Sequence, residues 1–231
     1  MKKIAILQSN YIPWKGYFDL IASVDEFIIY DEMQYTKNDW RNRNKIKTKN
    51  GIEWITIPVK VTSISQKINE TLIFDKKWFK KHQATLQTNY AKAKCFNETK
   101  DIIFGLYKQA QSKDKLSEIN QIFIKGICDF LDIKTKISVS SDYNLIAGKT
   151  ERLVDLCRQT NATNYLSGPS ARDYIDESLF KEKNIILEWM NYADYKEYKQ
   201  PNLPFEHGVS ILDLIFNEGK NARSFFKILT Q

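Results

Sequence analysis

The chain is poor in the residues that carry most metal, redox and nucleophilic chemistry. It has only three cysteines, Cys95, Cys128 and Cys157, and two histidines, His82 and His207. An odd number of cysteines without CxxC spacing argues against both a disulfide framework and a zinc site, and each is expected to pack as a small hydrophobe on a helix. There is no HxxxH pair and no acidic cluster of ligand spacing to support a metal, and no G-x-S-x-G elbow to support a serine nucleophile. Long apolar runs are missing as well. Ile4-Ala5-Ile6-Leu7 is ended by Gln8-Ser9-Asn10, too early for the apolar region of a signal peptide. No stretch approaches the roughly 20 apolar residues of a membrane span, so the chain is expected to stay in the cytoplasm.

What is present is a globular composition. The 231 residues are 42% hydrophobic and 13% aromatic, unlike disordered chains, and are expected to form a single domain, 1–231. The net charge of +7 favours an anionic partner: a phosphorylated small molecule, an acidic membrane surface or a nucleic acid. Lysines are scattered along helical stretches such as Lys76 to Lys94, the pattern of a solvated face, which ranks nucleic acid last.

Ile4 to Leu7 and Phe27 to Tyr30 are short apolar runs of the length of buried parallel strands, and Tyr17, Leu20, Ile21 and Val24 between them fall at helical spacing. This β-loop-α-β unit places Gln8 to Trp14 and the residues from Asp31 onward at one sheet edge, since open parallel sheets bind ligands beyond their strands' carboxyl ends. Trp54 to Val59 reads as a third strand, with Pro58 marking its end or an edge. Three amphipathic helices follow within a helical insert of about 76–131, where His82 sits among Phe79, Leu86 and Tyr90 and is assigned to the core or a surface groove. Alternation resumes with strands at 136–140, 164–167 and 185–189, helices near 151–160 and 177–183, and two closing helices, 210–216 and 222–229. The expected fold is α/β: a Rossmann-like, mostly parallel sheet flanked by helices, with the insert in mid-chain.

Two loops carry the candidate site. Gln8, Asn10, Tyr11, Trp14 and Tyr17 put amides, hydroxyls and rings between a buried strand and a helix, where a phosphate or carboxylate can be held. Gln34, Tyr35, Trp40, Arg41, Asn42, Arg43 and Asn44 add two guanidiniums suited to phosphate and rings suited to stacking on a base. Ser167, Ser170 and Arg172, at a strand end entering Gly168-Pro169, join the same edge if that strand runs parallel to the first. Asp31 and His207 are the candidate catalytic bases. Gly148-Lys149-Thr150 ends like a phosphate loop, but Tyr143 stands where the motif needs glycine, and Thr150 is instead expected to cap a helix. The first loop is also reminiscent of ATP-using nucleotidylyltransferases and pantothenate synthetases. Where those have His-x-Gly-His this chain has Trp14-Lys15-Gly16-Tyr17, so their adenylyl-transfer machinery is absent.

Ala5 to Ile21, Val24 to Asp31 and Trp40-Arg41-Asn42-Arg43-Asn44 resemble the WbqC-like family, and a softer likeness continues through Thr56-Ile57-Pro58-Val59 to Ser210-Ile211-Leu212-Asp213. Ser9 departs from the family's usual proline at that position, which alters the loop's backbone freedom. The resemblance implies a role in O-antigen or other bacterial surface-polysaccharide (lipopolysaccharide) synthesis. The implied reaction is transfer of an aminoacyl (glycyl-like) or acyl group onto the amine of a nucleotide-linked amino sugar. Three readings are carried forward: such a transferase, served by an acyl or aminoacyl carrier protein and with cofactors unknown; a non-catalytic nucleotide-sugar or carrier-binding module of the same pathway; and a nucleic-acid-binding protein.

Overall fold

The computed structural model describes residues 1–229. Nine strands and seven α-helices occur in the order β1 (Lys3–Leu7), α1 (Lys15–Ala22), β2 (Glu26–Ile29), β3 (Arg43–Thr48), β4 (Gly51–Thr56), β5 (Val59–Lys60), β6 (Leu72–Ile73), α2 (Trp78–Tyr90), α3 (Phe96–Ala110), α4 (Leu116–Phe130), β7 (Lys136–Val139), α5 (Thr150–Gln159), β8 (Asn164–Ser167), α6 (Glu177–Glu182), β9 (Ile186–Trp189) and α7 (Ile211–Glu218). Five strands form one sheet in the order β7-β2-β1-β8-β9, and every neighbouring pair is parallel. The α/β expectation holds.

The sheet is covered on both faces, which is why β2 and β8 are buried along their whole length and carry no polar-outward alternation. The two-residue period still sorts their side chains. Ala5, Phe27 and Ile29 face a cluster built with α1, α2, α3, α4 and α7, whereas Ile4, Ile6 and Ile28 face Leu153, Leu156 and Cys157 of α5 and Phe180 of α6. Chain order sets the functional edge. After β1 the chain fills one side of the sheet with β2 and β7, then crosses to the other side of β1 for β8 and β9. Strand order therefore reverses between β1 and β8, and ligands of open α/β sheets bind in the crevice outside the carboxyl ends at such a switch point.

Three local expectations need correction. The strand read at Trp54 to Val59 is β4, which ends at Thr56 and pairs antiparallel with β3, outside the parallel sheet. Arg43 and Asn44 accordingly lie on a strand. The cause is a tight hairpin: Thr48 pairs with Gly51 around Lys49-Asn50, and Gly51 takes φ +110°, a conformation that glycine adopts without steric cost. The stretch expected as a final helix at 222–229 forms 3₁₀ turns, Gly219–Phe225 and Lys227–Leu229. Thr150 opens α5 from inside its first turn; its hydroxyl accepts from the Asp176 amide at 3.1 Å and caps nothing.

Cys128 and Cys157 are buried on helices and Cys95 is buried just before α3. No helix of the described residues is long and apolar enough to cross a membrane.

Candidate functional site

Beyond β1, the loop to α1 is held from below. The Ser9 amide and hydroxyl both donate to the Asp31 carboxylate at 2.7 Å, and the Ser117 hydroxyl of α4 donates to it as well. Burial pushes the Asp31 carboxyl above its usual range, and these donors pull it back. Asn120 of α4 adds bonds to the Ser9 hydroxyl and to the carbonyl of Arg41, at 3.0 and 2.9 Å. Asp31 thus joins β1, β2 and α4 under the loop.

Tyr11 belongs to the core. Its ring is fully buried against Trp78 and Phe123, and its phenol meets His82 Nδ1 and the Tyr107 phenol, each at 2.8 Å. His82 is correspondingly a core residue, its imidazole driven by burial down to about 4. The next residue, Ile12, sits at φ +41°, a strained conformation for a β-branched side chain. The Asn44 amide holds that turn by donating to the carbonyls of Tyr11 and Ile12 at 3.0 and 2.8 Å, and the Tyr11 amide donates to the Trp40 carbonyl at 2.9 Å. The two predicted loops are therefore one bonded unit.

Arg41 is aimed by amides. Nη1 donates to Asn10 Oδ1 and Nη2 to Gln8 Oε1 at 3.3 Å, with Asp39 3.7 Å away and the Tyr174 phenol within electrostatic reach. Tyr17 donates to the Gln8 carbonyl at 3.0 Å. Arg43 donates to the Asn38 carbonyl and lies over the Trp54 ring, 4.0 Å from its centroid. Asn42 is buried and bonded to the Ile57 carbonyl at 2.9 Å. Gln34 and Tyr35 point to other business: Gln34 bonds the Ile64 carbonyl, and the buried Tyr35 pairs through its amide with Gln66.

A cavity of about 290 Å³ opens between these parts, lined by Asn10, Pro13, Trp14, Trp40, Asn44 and Gly208. This is near the lower end of the size of small-molecule pockets, with rings for walls and amides at the base. Trp14 is backed edge-on by Tyr192 and Tyr195, at 5.2 and 5.7 Å between centroids. Those tyrosines, with Gly208, come from residues 190–209, a segment without helix or strand that crosses the site. Two buried carboxylates fasten it. Tyr195 donates to Asp19 at 2.7 Å, and Tyr198 and Gln200 donate to Asp213 at 2.6 and 2.9 Å.

Between these fastenings Lys15, the first residue of α1, places its ammonium 5.2, 5.4 and 5.7 Å from the ring centroids of Tyr195, Tyr198 and Phe205. Burial lowers it to about 8, against the raising influence of Asp213 and Glu197. His207 stacks edge-on with Phe205 at 4.6 Å, and its Nδ1 has no hydrogen-bond partner among the described residues. Burial, then the Lys15 charge, lower its pKa, so the imidazole is neutral at pH 7.

Among the candidates after β8, Ser167 is buried, Ser170 is exposed, and Arg172 lies over Trp189 at 5.1 Å instead of joining Arg41. None of the three lines the cavity. Residues that sequence reasoning passed over are Lys15, Tyr174, Tyr192, Trp54 and Gly208. Of these only Trp54 had a local signal, the Asn50-Gly51 hairpin turn that sets it opposite Lys45. Among the described residues no group of three or more His, Cys, Asp or Glu could hold a metal ion.

Comparison with known proteins agrees with the likeness in the first loops. The chain is 53% identical over 232 residues to an uncharacterized protein, Rv1507c, of Mycobacterium tuberculosis, covering 100% of both chains. No solved structure matches. A family model, that of the WbqC-like protein family, matches residues 8–225, a span that holds every residue lining the cavity. The chain belongs to the WbqC-like protein family.

Proposed function

We propose that the protein is a cytoplasmic transferase of surface-polysaccharide synthesis that moves an aminoacyl or acyl group onto the amine of a nucleotide-linked amino sugar. The observation that carries this reading is the cavity just beyond the carboxyl end of β1, where the amides of Asn10 and Asn44 meet the rings of Trp14 and Trp40, with Arg41 held beside it by Asn10 and Gln8. Arg41 supplies positive charge for phosphate, and Asn10, whose Oδ1 is taken by Arg41, keeps its Nδ2 as a donor to a carbonyl oxygen. His207, neutral and next to Gly208 of the cavity wall, is the base. It takes the proton of the attacking amine as the nitrogen–carbonyl bond forms, and returns it to the donor's leaving group as the carbonyl–donor bond breaks. Asp31 is better suited to positioning, since its oxygens are committed to Ser9 and Ser117.

The test is incubation with a panel of nucleotide-linked amino sugars and candidate acyl or aminoacyl donors, carrier-protein thioesters included, read by mass spectrometry. The expected product is the sugar nucleotide heavier by one acyl or aminoacyl group. Binding of the sugar nucleotide without product from any donor would replace this reading by that of a binding module.

A further inference from the structure

The β3–β4 hairpin has two unlike faces. Direct pairing of Lys45 with Trp54 and of Arg43 with Thr56 puts these side chains on one side, while Ile46 and Ile55, buried at 0% and 4% exposure, fix the other side against the core. On the outward side Trp54 is 40% exposed and Trp40, from the preceding loop, 39%. Their centroids lie 5.1 Å apart with the rings tilted by 42°. The Arg43 guanidinium is 4.0 Å from the Trp54 centroid, and the Lys45 ammonium is 5.4 Å from Trp54 and 5.7 Å from Trp40. Arg43 Nε has no hydrogen-bond partner among the described residues. Trp40 belongs to this face and to the cavity wall at once.

We propose that this hairpin face is a nucleoside-diphosphate subsite: an aromatic base stacks on the Trp40–Trp54 pair, and Arg43 and Lys45 take the diphosphate. The group carried on the diphosphate then enters the cavity past Trp40. The reasoning is one of complementarity. Two half-exposed indoles offer a planar apolar ligand an area that every base can use, and the flanking cations call for an anion beside it. A neutral sugar satisfies the rings and leaves the cations idle; inorganic pyrophosphate does the reverse. This subsite rests on the reading of the cavity as a sugar-nucleotide site and adds Trp54 and Lys45 to it.

Isothermal titration of the full chain with UDP, ADP, pyrophosphate and free N-acetylglucosamine tests it directly. Nucleoside diphosphate binding is expected, with pyrophosphate about tenfold weaker and no heat from the free sugar. Trp54→Ala is expected to weaken nucleoside diphosphate about tenfold or more, the size of one lost stacking contact. Trp54→Phe keeps most of the affinity, and Lys45→Ala weakens diphosphate more than monophosphate. Equal affinity in a folded Trp54→Ala protein, pyrophosphate binding as well as UDP, or oligonucleotides outcompeting both would overturn the proposal. The reaction and the subsite fail separately. Acyl transfer whose KM is unchanged by Trp54→Ala sinks the subsite alone, whereas Trp54-dependent binding with no transfer sinks the reaction alone.

Discussion

The two rims of the sheet handle charge in opposite ways. At the amino rim, Glu26 accepts from Lys2 at 2.7 Å, Lys136 at 2.9 Å, Ser138 at 2.8 Å and Tyr143, while Lys3 and Asn164, the first residues of β1 and β8, donate to Glu188 of β9, each at 2.7 Å. Burial pushes Glu26 up, yet the donors, Lys2 foremost, hold it down at about 2. At the carboxyl rim, Arg41, Arg43 and Lys45 meet amides, carbonyls and rings, and Arg41 also has the partly exposed Asp39 at 3.7 Å and the buried Asp31 within electrostatic reach. Asp31, the buried carboxylate there, is raised. The amino rim is electrostatically closed, which is what an architectural network requires. At the carboxyl rim Arg43 and Lys45 lie against rings and a carbonyl, an arrangement that suits the anionic ligand proposed above.

The sharpest way to separate the rims is kinetic. His207→Gln should lower kcat about 10²- to 10³-fold with KM kept, as expected for loss of a general base. The acid limb of the wild-type kcat profile should lie below pH 6.5, because the folded imidazole is lowered. A variant that keeps both rate and limb removes His207 from the reaction. Glu26→Gln should instead cost up to about 3 kcal/mol of stability with kcat unchanged. Because the folded pKa lies below the unfolded one, this contribution is complete above about pH 4.5 and fades as pH falls toward about 2. Denaturant melts across that window would show it, and a tenfold loss of kcat in Glu26→Gln would break the contrast between rims. Asn44→Ala should cost about 1–2 kcal/mol by freeing the carbonyls of Tyr11 and Ile12, and should raise KM through the loosened cavity base. Thermal melts with substrate titrations would separate the two effects. Smallest is Lys3→Ala, which breaks a pair whose side chains are each about one-third exposed; a loss of about 0.5 kcal/mol is expected in a double-mutant cycle with Glu188→Gln.

The parallel sheet was legible because strands buried on both faces write themselves as short apolar runs, as Ile4 to Leu7 and Phe27 to Ile29 do. The site's location followed from the same strands through the geometry of their carboxyl ends. The β3 strand was not legible from its composition. Arg43-Asn44-Lys45-Ile46-Lys47 is mostly polar, because one face carries cations and the other holds Asn44 committed to loop carbonyls. Nor could sequence tell a polar group that faces ligand from one that faces core. Tyr11 and Asp31 look like site residues until their partners, His82, Tyr107, Ser9 and Ser117, are in place. Tyr192, Tyr195 and Lys15 depend on contacts between distant segments, for which a single sequence carries no spacing rule.

The segment 190–209 also dates the site within the life of the chain. Asn10 and Trp14 leave the ribosome early, but the cavity they line is completed by Gly208, and Ser210 bonds back to Lys45 at 2.8 Å. At roughly 5–20 residues per second the early loops wait many seconds for their last wall. A nascent or prematurely terminated chain that stops short of Gly208 lacks the last wall of this cavity.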